Sequence, residues 1–169
     1  MRLLILLLLS FFAFMSSAQE SSSEPNKNLS TNKRYIFNND GTVTDKKTDL
    51  MWLQCSMGQV VTNVSCVGDA ESLNWQDAVA QSLASNNAGY SDWRLPNIKE
   101  LSSIVDWDSH TPAIDQKVFP NTSAGNYWSS SPSSYNGNRS WGVEFDYGYS
   151  HEDLRRWADY SHVRLVRDY

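Results

Sequence analysis

Residues 89–101 carry the densest structural pattern of this 169-residue chain and read Gly89-Tyr90-Ser91-Asp92-Trp93-Arg94-Leu95-Pro96-Asn97-Ile98-Lys99-Glu100-Leu101. Asn97 followed by Glu100 three positions later is typical of a helix start, because each side chain can satisfy a free backbone N–H of the first turn. Ile98, Leu101 and Val105 then recur at helical spacing. The segment therefore predicts a short helix that begins after Asn97.

Arg94 lies between two apolar residues in the same segment. A guanidinium in such a position is usually held by carboxylates in a fork geometry, and Asp92 and Glu100 are the nearest candidates. We therefore expect Arg94 to be structural, with a role in ligand binding as the alternative.

An earlier helix is predicted upstream of this segment. Asn74 can cap it, with Asp77 at its third position, and the Asn-Asn-Ala-Gly run at residues 86–89 ends it. Its apolar face repeats at helical spacing and comprises Trp75, Ala78, Val79 and Leu83.

Short strands are predicted on both sides of the two helices. Before them, residues 35–37, 42–44 and 50–53 predict three short strands. Asp40-Gly41 marks a hairpin turn between the first two, because glycine accepts the positive φ that such a turn requires. After residue 112 the chain shows no long helical period, and residues 127–130, 141–145 and 162–166 predict strands between long loops. The fold class is therefore α+β, with short antiparallel strands, two helices and long loops.

The chain begins with an export signal. Arg2 precedes an apolar run over residues 3–15, interrupted only by Ser10, and small residues follow before Gln19. The run is shorter than the ~20 residues of a membrane span, so residues 1–18 predict a cleavable signal peptide, with an uncleaved anchor as the alternative. The protein is then exported to the periplasm or beyond the cell, with no membrane span after cleavage.

The mature chain divides into a tether and one domain. Residues 19–33 are rich in Ser, Asn, Glu and Lys and predict a disordered tether, since such a segment buries too little apolar surface to fold. Residues 34–169 form the domain. Loss of Arg2 with the signal peptide changes the net charge from −5 to −6. This acidic balance disfavours nucleic acid as a partner, although a local basic cluster of Arg155, Arg156, Arg164 and Arg167 stays open.

The two cysteines, Cys55 and Cys66, both lie in the exported part. In an oxidising compartment such a pair predicts a disulfide. A metal site is the weaker interpretation, because two sulfurs need further ligands and no histidine is close in sequence. We therefore predict no bound metal and no cofactor.

The chain contains seven tryptophans. Five of them fall inside predicted elements, and we expect these to build the core, since large aromatic side chains fill space where regular structure is scarce. The predicted structural core comprises Trp52, Trp75, Trp93, Trp128 and Trp141, together with Arg94.

Several blocks of the chain, taken in order, resemble the Lcl C-terminal domain family, a domain of unknown function typified by the C-terminal domain of the Legionella collagen-like adhesin. The blocks are Asp40-Gly41-Thr42-Val43-Thr44-Asp45, Thr48-Asp49-Leu50-Met51-Trp52, Trp75-Gln76-Asp77-Ala78, residues 89–101, Phe119-Pro120-Asn121, Tyr127-Trp128-Ser129-Ser130-Ser131 and Val163-Arg164-Leu165-Val166-Arg167.

The resemblance implies a C-type lectin-like fold, in the group that includes formylglycine-generating enzymes, with the two chain ends side by side. The adhesin that typifies the family is a trimeric, glycan-binding surface protein. A ligand of sulfated glycans should present positive charge, and this chain is acidic; we do not extend that ligand to it. A family resemblance carries fold better than function.

Motifs for catalysis are weak. Residues 148–152 resemble the nucleophile elbow of a hydrolase, but Glu152 stands where the second glycine is needed. His110, His151 and His162 show no metal-binding spacing. Formylglycine-type oxidation needs a reactive cysteine pair late in the fold, whereas the pair here is early. We therefore expect no catalytic residues.

Residues 130–160 mix flat aromatic side chains with amide and guanidinium donors in predicted loops. Such a mixture suits sugar or protein surfaces, with an ordinary polar loop as the alternative. We interpret the protein as an exported, non-catalytic recognition domain for a glycan or a cell-surface protein; an enzyme on a lectin-like fold and a self-assembling, homo-oligomeric envelope protein are the alternatives. The candidate binding residues are Tyr135, Asn136, Asn138, Arg139, Tyr147, Tyr149, Trp157 and Tyr160.

Overall fold

The computed structural model describes residues 34–63 and 65–169. The predicted signal peptide (1–18) and tether (19–33) lie outside the described residues. The elements are β1 Tyr35–Phe37, β2 Thr42–Asp45, β3 Leu50–Leu53, β4 Val60–Val61, β5 Cys66–Val67, α1 Trp75–Ala84, a 3₁₀ turn Asn87–Gly89, α2 Ile98–Ser103, β6 Asn126–Pro132, β7 Arg139–Glu144, β8 Tyr149–Arg155 and β9 Val166–Asp168.

The first sheet joins the beginning and the end of the domain. Its four antiparallel strands run in the order β1-β2-β3-β9, and Leu50 pairs with Asp168. The predicted turn at Asp40-Gly41 is present, with Gly41 at φ +86° and the Asp40 carboxylate accepting a 2.9 Å bond from the Thr42 amide. The predicted strand over residues 162–166 is shifted, because only its last residue enters β9.

The second sheet is antiparallel, with the order β6-β7-β8. Strands β6 and β7 confirm two predicted strands, but β8 lies in a segment that the sequence predicts as loop. The reason is physical: β8 is an edge strand, and its side chains are mostly polar and solvent-facing, so it shows no apolar alternation. The predicted loop region 130–160 therefore consists largely of the β7-β8 hairpin, which forms two of the three strands of this sheet.

Both helices begin as predicted. The Asn74 side chain accepts a 2.9 Å hydrogen bond from the Asp77 amide at the start of α1. A complete capping box starts α2, where Asn97 accepts from the Glu100 amide at 3.0 Å and Glu100 accepts from the Asn97 amide at 2.7 Å. The predicted apolar stripe of α1 is wrong at Leu83, which is exposed.

The ten residues of α1 and the six of α2 are the helices of the described chain. Neither is long and apolar enough to cross a membrane.

The tryptophans divide between the core and its margin. Trp52, Trp93 and Trp128 are buried, as predicted. Trp75 and Trp141 are only half-buried. The Trp75 indole nevertheless donates a 2.9 Å bond to the carbonyl of residue 129 in β6. Large aromatic bodies thus hold α1 against the second sheet.

The predicted disulfide is present. Cys55 and Cys66 are bonded, with their Cα atoms 5.4 Å apart. The bond closes the segment that contains the small β4-β5 hairpin and fixes it beside the end of β3.

Arg164 is completely buried, and none of its hydrogen-bond partners among residues 34–63 and 65–169 is a carboxylate. Its guanidinium donates to the Leu53 and Gln54 carbonyls and to the hydroxyls of Ser56 and Thr122. Burial lowers the pKa of this side chain. Arg164 therefore ties the segment before β9 to the end of β3 through neutral oxygens.

Candidate binding surface

The structure divides the predicted binding residues between the two ends of the second sheet. Tyr147 and Tyr149 lie at the β7-β8 turn, whereas Tyr135, Asn136 and Asn138 lie in the β6-β7 loop. The six or seven residues of each strand separate these ends by roughly 20 Å. We call the first the turn end and the second the loop end. The predicted residues therefore cannot form one site.

The loop end also holds other predicted residues. Arg139 is the first residue of β7. Trp157 follows Arg156, whose amide donates 2.9 Å to the Asn138 carbonyl. Tyr160 lies on the segment that leaves β8 and is exposed.

Three exposed aromatic side chains meet at the turn end. Trp107, Tyr147 and Tyr149 are 68%, 60% and 62% exposed. The ring centroids of Trp107 and Tyr149 are 6.4 Å apart, and so are those of Tyr147 and Tyr149. We call these three residues the aromatic surface. Trp107 was not among the predicted residues.

Gly148 fixes the close packing beneath the aromatic surface. Its φ is +83°, and a Cβ there would lie 2.5 Å from Val105 Cγ1 and 3.5 Å from Trp107 Cζ3. Only glycine combines this backbone conformation with this approach. The turn of the hairpin therefore packs directly against the segment that carries Trp107.

Backbone hydrogen bonds join the same two segments. The Thr111 amide donates 2.8 Å to the Asp146 carbonyl, and the Ala113 amide donates 2.6 Å to the Phe145 carbonyl. Phe145 is completely buried. The aromatic surface therefore stands on a rigid support rather than on free loops.

Carboxylates flank the aromatic surface. The Asp106 carboxylate is used internally, since it accepts 3.1 Å from the Asp108 amide and 2.7 Å from the Ser109 hydroxyl. The side chains of Asp108, Glu144 and Asp146 make no hydrogen bond or ion pair with any residue that the structure describes. Three carboxylates are thus left for solvent or a ligand.

His151 lies two residues beyond Tyr149 on β8. Its Nδ1 is 2.5 Å from the Asp153 carboxylate and its Nε2 is 2.7 Å from the Asn126 side-chain oxygen. The hydrogen bond with His151 holds the pKa of Asp153 below its usual range. Both ring nitrogens of His151 therefore have internal partners, which fix the orientation of the imidazole.

The loop end is organised differently. Glu152 accepts hydrogen bonds from the Ser134 amide at 2.9 Å and from the hydroxyls of Ser133 and Ser134. The bond from the Ser134 amide lowers the pKa of Glu152. Arg155 pairs with Asp159 at 2.6 Å. The charged side chains of Glu152, Arg155 and Asp159 are therefore engaged in contacts within the loop end.

The aromatic side chains of the loop end stand apart. Tyr135 is 87% exposed. Neither it nor Trp157 nor Tyr160 contacts another aromatic ring among residues 34–63 and 65–169. Single exposed rings are ordinary features of a protein surface.

Arg94 is held by carboxylates, as its sequence context predicts. It donates two bonds to Glu100, at 2.8 and 3.0 Å, and one to Asp168 at 2.8 Å. These bonds, the pair to Glu100 first, raise its pKa. The predicted partner Asp92 is wrong, because Arg167 takes it at 2.6 Å. Arg94 thereby joins α2 to β9.

The basic cluster left open by the sequence does not form. Arg156 lies over the Trp75 ring at 4.1 Å, and Arg167 lies over the Tyr90 ring at 4.2 Å. Arg155 is paired with an acid and Arg164 is buried. Each arginine is engaged locally.

A small cleft of about 180 Å³ lies beside the disulfide. It is lined by Leu53, Met57, Val61 and Leu165, with Asp40 at its polar side. None of the predicted binding residues lines it. Across the described ranges, no group of three or more His, Cys, Asp or Glu side chains is placed to hold a metal ion.

Comparison with protein-family models matches residues 41–167, well over half of the chain, to the Lcl C-terminal domain. No curated protein matches the sequence.

Proposed function

The chain belongs to the Lcl C-terminal domain family, and on that premise we propose that it is an exported, non-catalytic recognition domain that binds a glycan through the aromatic surface. The interpretation goes beyond the family assignment, because the binding site is argued from residues of this chain. It also narrows the sequence-based candidates to the turn end of the second sheet.

The contact among Trp107, Tyr147 and Tyr149 carries the proposal. Each ring leaves more than half of its surface in water, and the three lie within ring-contact distance of their neighbours. Aromatic faces cover the apolar faces of sugar rings and lose little conformational entropy in doing so. Contiguous exposed aromatic side chains on a rigid support indicate a ligand-binding surface, whereas single exposed rings do not.

Export is part of the proposal. The Cys55–Cys66 disulfide favours an oxidising compartment, in agreement with the signal peptide predicted from residues 1–18. We place the protein in the periplasm or outside the cell, where an adhesin-like domain meets glycans.

We also propose that the fold is C-type lectin-like. The first and last strands, β1 and β9, lie in the same sheet as its two edge strands, with β2 and β3 between them, so the expected side-by-side pairing of the chain ends is not part of the support. Two short helices and a second antiparallel sheet accompany them. A fold of this class hosts both binding proteins and enzymes, so it supports the function only together with the surface.

The test is a glycan array on the refolded, disulfide-intact protein, followed by titration of each glycan bound. Trp107→Ala and Tyr149→Ala should each weaken binding about tenfold, since each removes one stacking face. Trp157→Ala is the matched control, because Trp157 has the same exposure as Trp107 but lies at the loop end. Binding that is insensitive to Trp107→Ala, or equally weakened by Trp157→Ala, would refute the proposed site.

Two other outcomes would favour the alternatives. Cleavage or oxidation of a bound glycan would favour an enzyme. Stable oligomers in light scattering without any glycan bound would favour a self-assembling envelope protein.

A further inference from the structure

We infer that the aromatic surface selects glycans that carry a free, protonated amine. This inference rests on the proposed function and adds the chemical class of the ligand. It follows from the charges that surround the three aromatic rings.

The aromatic surface is bordered by acids in the chain itself. Asp106 and Asp108 stand on either side of Trp107, and Asp146 precedes Tyr147. Neighbouring Cα atoms are only ~3.8 Å apart, and charges interact in physiological salt over about 8 Å. The rings therefore lie in the field of these carboxylates.

Glu144 adds a fourth acid through the register of the sheet. It pairs with Tyr149 on β8 and with Asn126 on β6. Directly paired residues point to the same face of a sheet. Glu144 thus accompanies Tyr149 on one face.

No basic side chain of these segments offsets the acids. Residues 104–113 and 140–154 contain neither Lys nor Arg. Their histidines are His110 and His151, and His151 is already bonded to Asp153. The carboxylates of Asp108, Glu144 and Asp146 lack partners among the residues described. Their charge is therefore available to a ligand.

A protonated amine can interact with both the aromatic rings and the carboxylates of this surface. An ammonium group is attracted to the face of an indole or phenol ring, and tryptophan is the strongest partner. It also gains Coulomb energy from nearby carboxylates. N-acetylation removes the charge, and sulfate or carboxylate groups reverse it. The net charge of the whole chain is negative too, as is the charge around the aromatic surface.

The decisive ligands are three β-1,4-linked oligomers of equal length, made of glucosamine, N-acetylglucosamine or glucose. They differ only at one ring substituent. Calorimetric titration at low salt in mildly acidic buffer, where the amines are protonated and the carboxylates ionised, should show the glucosamine oligomer binding at least about fivefold more tightly than the other two. That preference should shrink at 0.5 M salt, because exposed charges are then screened.

Charge-removing variants locate the preference. Asp108→Asn/Asp146→Asn should reduce the preference for the amine by at least about twofold, because Glu144 and the rings remain, and leave the affinity for the glucose oligomer within twofold. The matched control is Asp69→Asn/Glu71→Gln, which removes two exposed acids that lie outside these segments. The control should keep the preference, since it changes the net charge equally but not the local field.

The results separate the two proposals. Equal or weaker binding of the glucosamine oligomer, with affinity still lost in Trp107→Ala, overturns this inference and leaves the proposed function standing. Loss of the preference in the control variant also overturns it, because the effect is then one of net charge. If Trp107→Ala alters the binding of none of the three oligomers, the proposed function itself fails.

Discussion

The two ends of the second sheet contain similar side chains, but these side chains make different contacts at each end. At the turn end, Tyr149 contacts both Trp107 and Tyr147, and the carboxylates of Asp108, Glu144 and Asp146 have no partner among the described residues. At the loop end the rings stand singly, and Glu152 and Arg155 are engaged by nearby residues. Composition is thus a poor guide to a binding site. What distinguishes the turn end is contact among rings and charge left without an internal partner.

The two ends should differ most in the stability that is lost when a glycine is replaced by alanine. Gly148→Ala should lower the free energy of unfolding by about 2 to 4 kcal/mol, because it combines a positive φ with a clash against Val105. Gly137→Ala, at the loop end, has no atom within 4 Å of its new Cβ and should change stability by less than about 0.5 kcal/mol. Urea denaturation of both variants measures the difference. Similar losses would show that the turn end is not the more tightly packed end.

The loop end is held chiefly by one acid. Glu152→Ala removes three hydrogen bonds to Ser133 and Ser134, so amide hydrogen exchange at Ser134 should become faster while that at Gly148 stays unchanged. Unchanged exchange at Ser134 would contradict this anchoring role.

Protonation of Glu152 at low pH should have the same effect as Glu152→Ala. The pKa of Glu152 is lowered in the folded protein, so its stabilising contribution is complete above the ordinary glutamate pKa. The contribution is lost as pH falls through the lower, folded value. The Ser134 amide resonance should follow the same transition in an NMR titration.

The smallest expected effect concerns the exposed ion pair of the loop end. Arg155 lowers the pKa of Asp159, so Arg155→Ala should return that pKa toward its ordinary value. The pair is partly exposed, with Arg155 57% accessible, and solvent screening should leave it little effect on stability. Carboxyl NMR titration tests the shift, and a pKa that does not rise would show that Asp159 has another partner.

Local sequence signals predicted the helices and turns well. Asn74 and Asn97 begin helices because a cap depends only on residues three positions apart. The disulfide followed from compartment and spacing. Strand β8 was missed, since an edge strand with two solvent-facing sides needs no apolar alternation. Its existence depends on pairing with β7.

The candidate site was only half predictable. Tyr147 and Tyr149 were among the sequence candidates, but they were grouped with residues of the opposite end. Trp107 follows α2 in a short acidic stretch, and nothing local distinguishes an exposed tryptophan there from a buried one. Its position is set by packing over Gly148, which is a tertiary contact. Clusters of exposed rings arise from such contacts, which the order of residues along the chain does not contain.

The burial of Arg164 has a consequence for how the protein is made. Its guanidinium bonds the Leu53 carbonyl 111 positions earlier, and β9 completes the first sheet only after Arg164. Contacts of such long sequence separation form slowly. A nascent chain on the ribosome therefore cannot complete its first sheet until residue 168 has emerged.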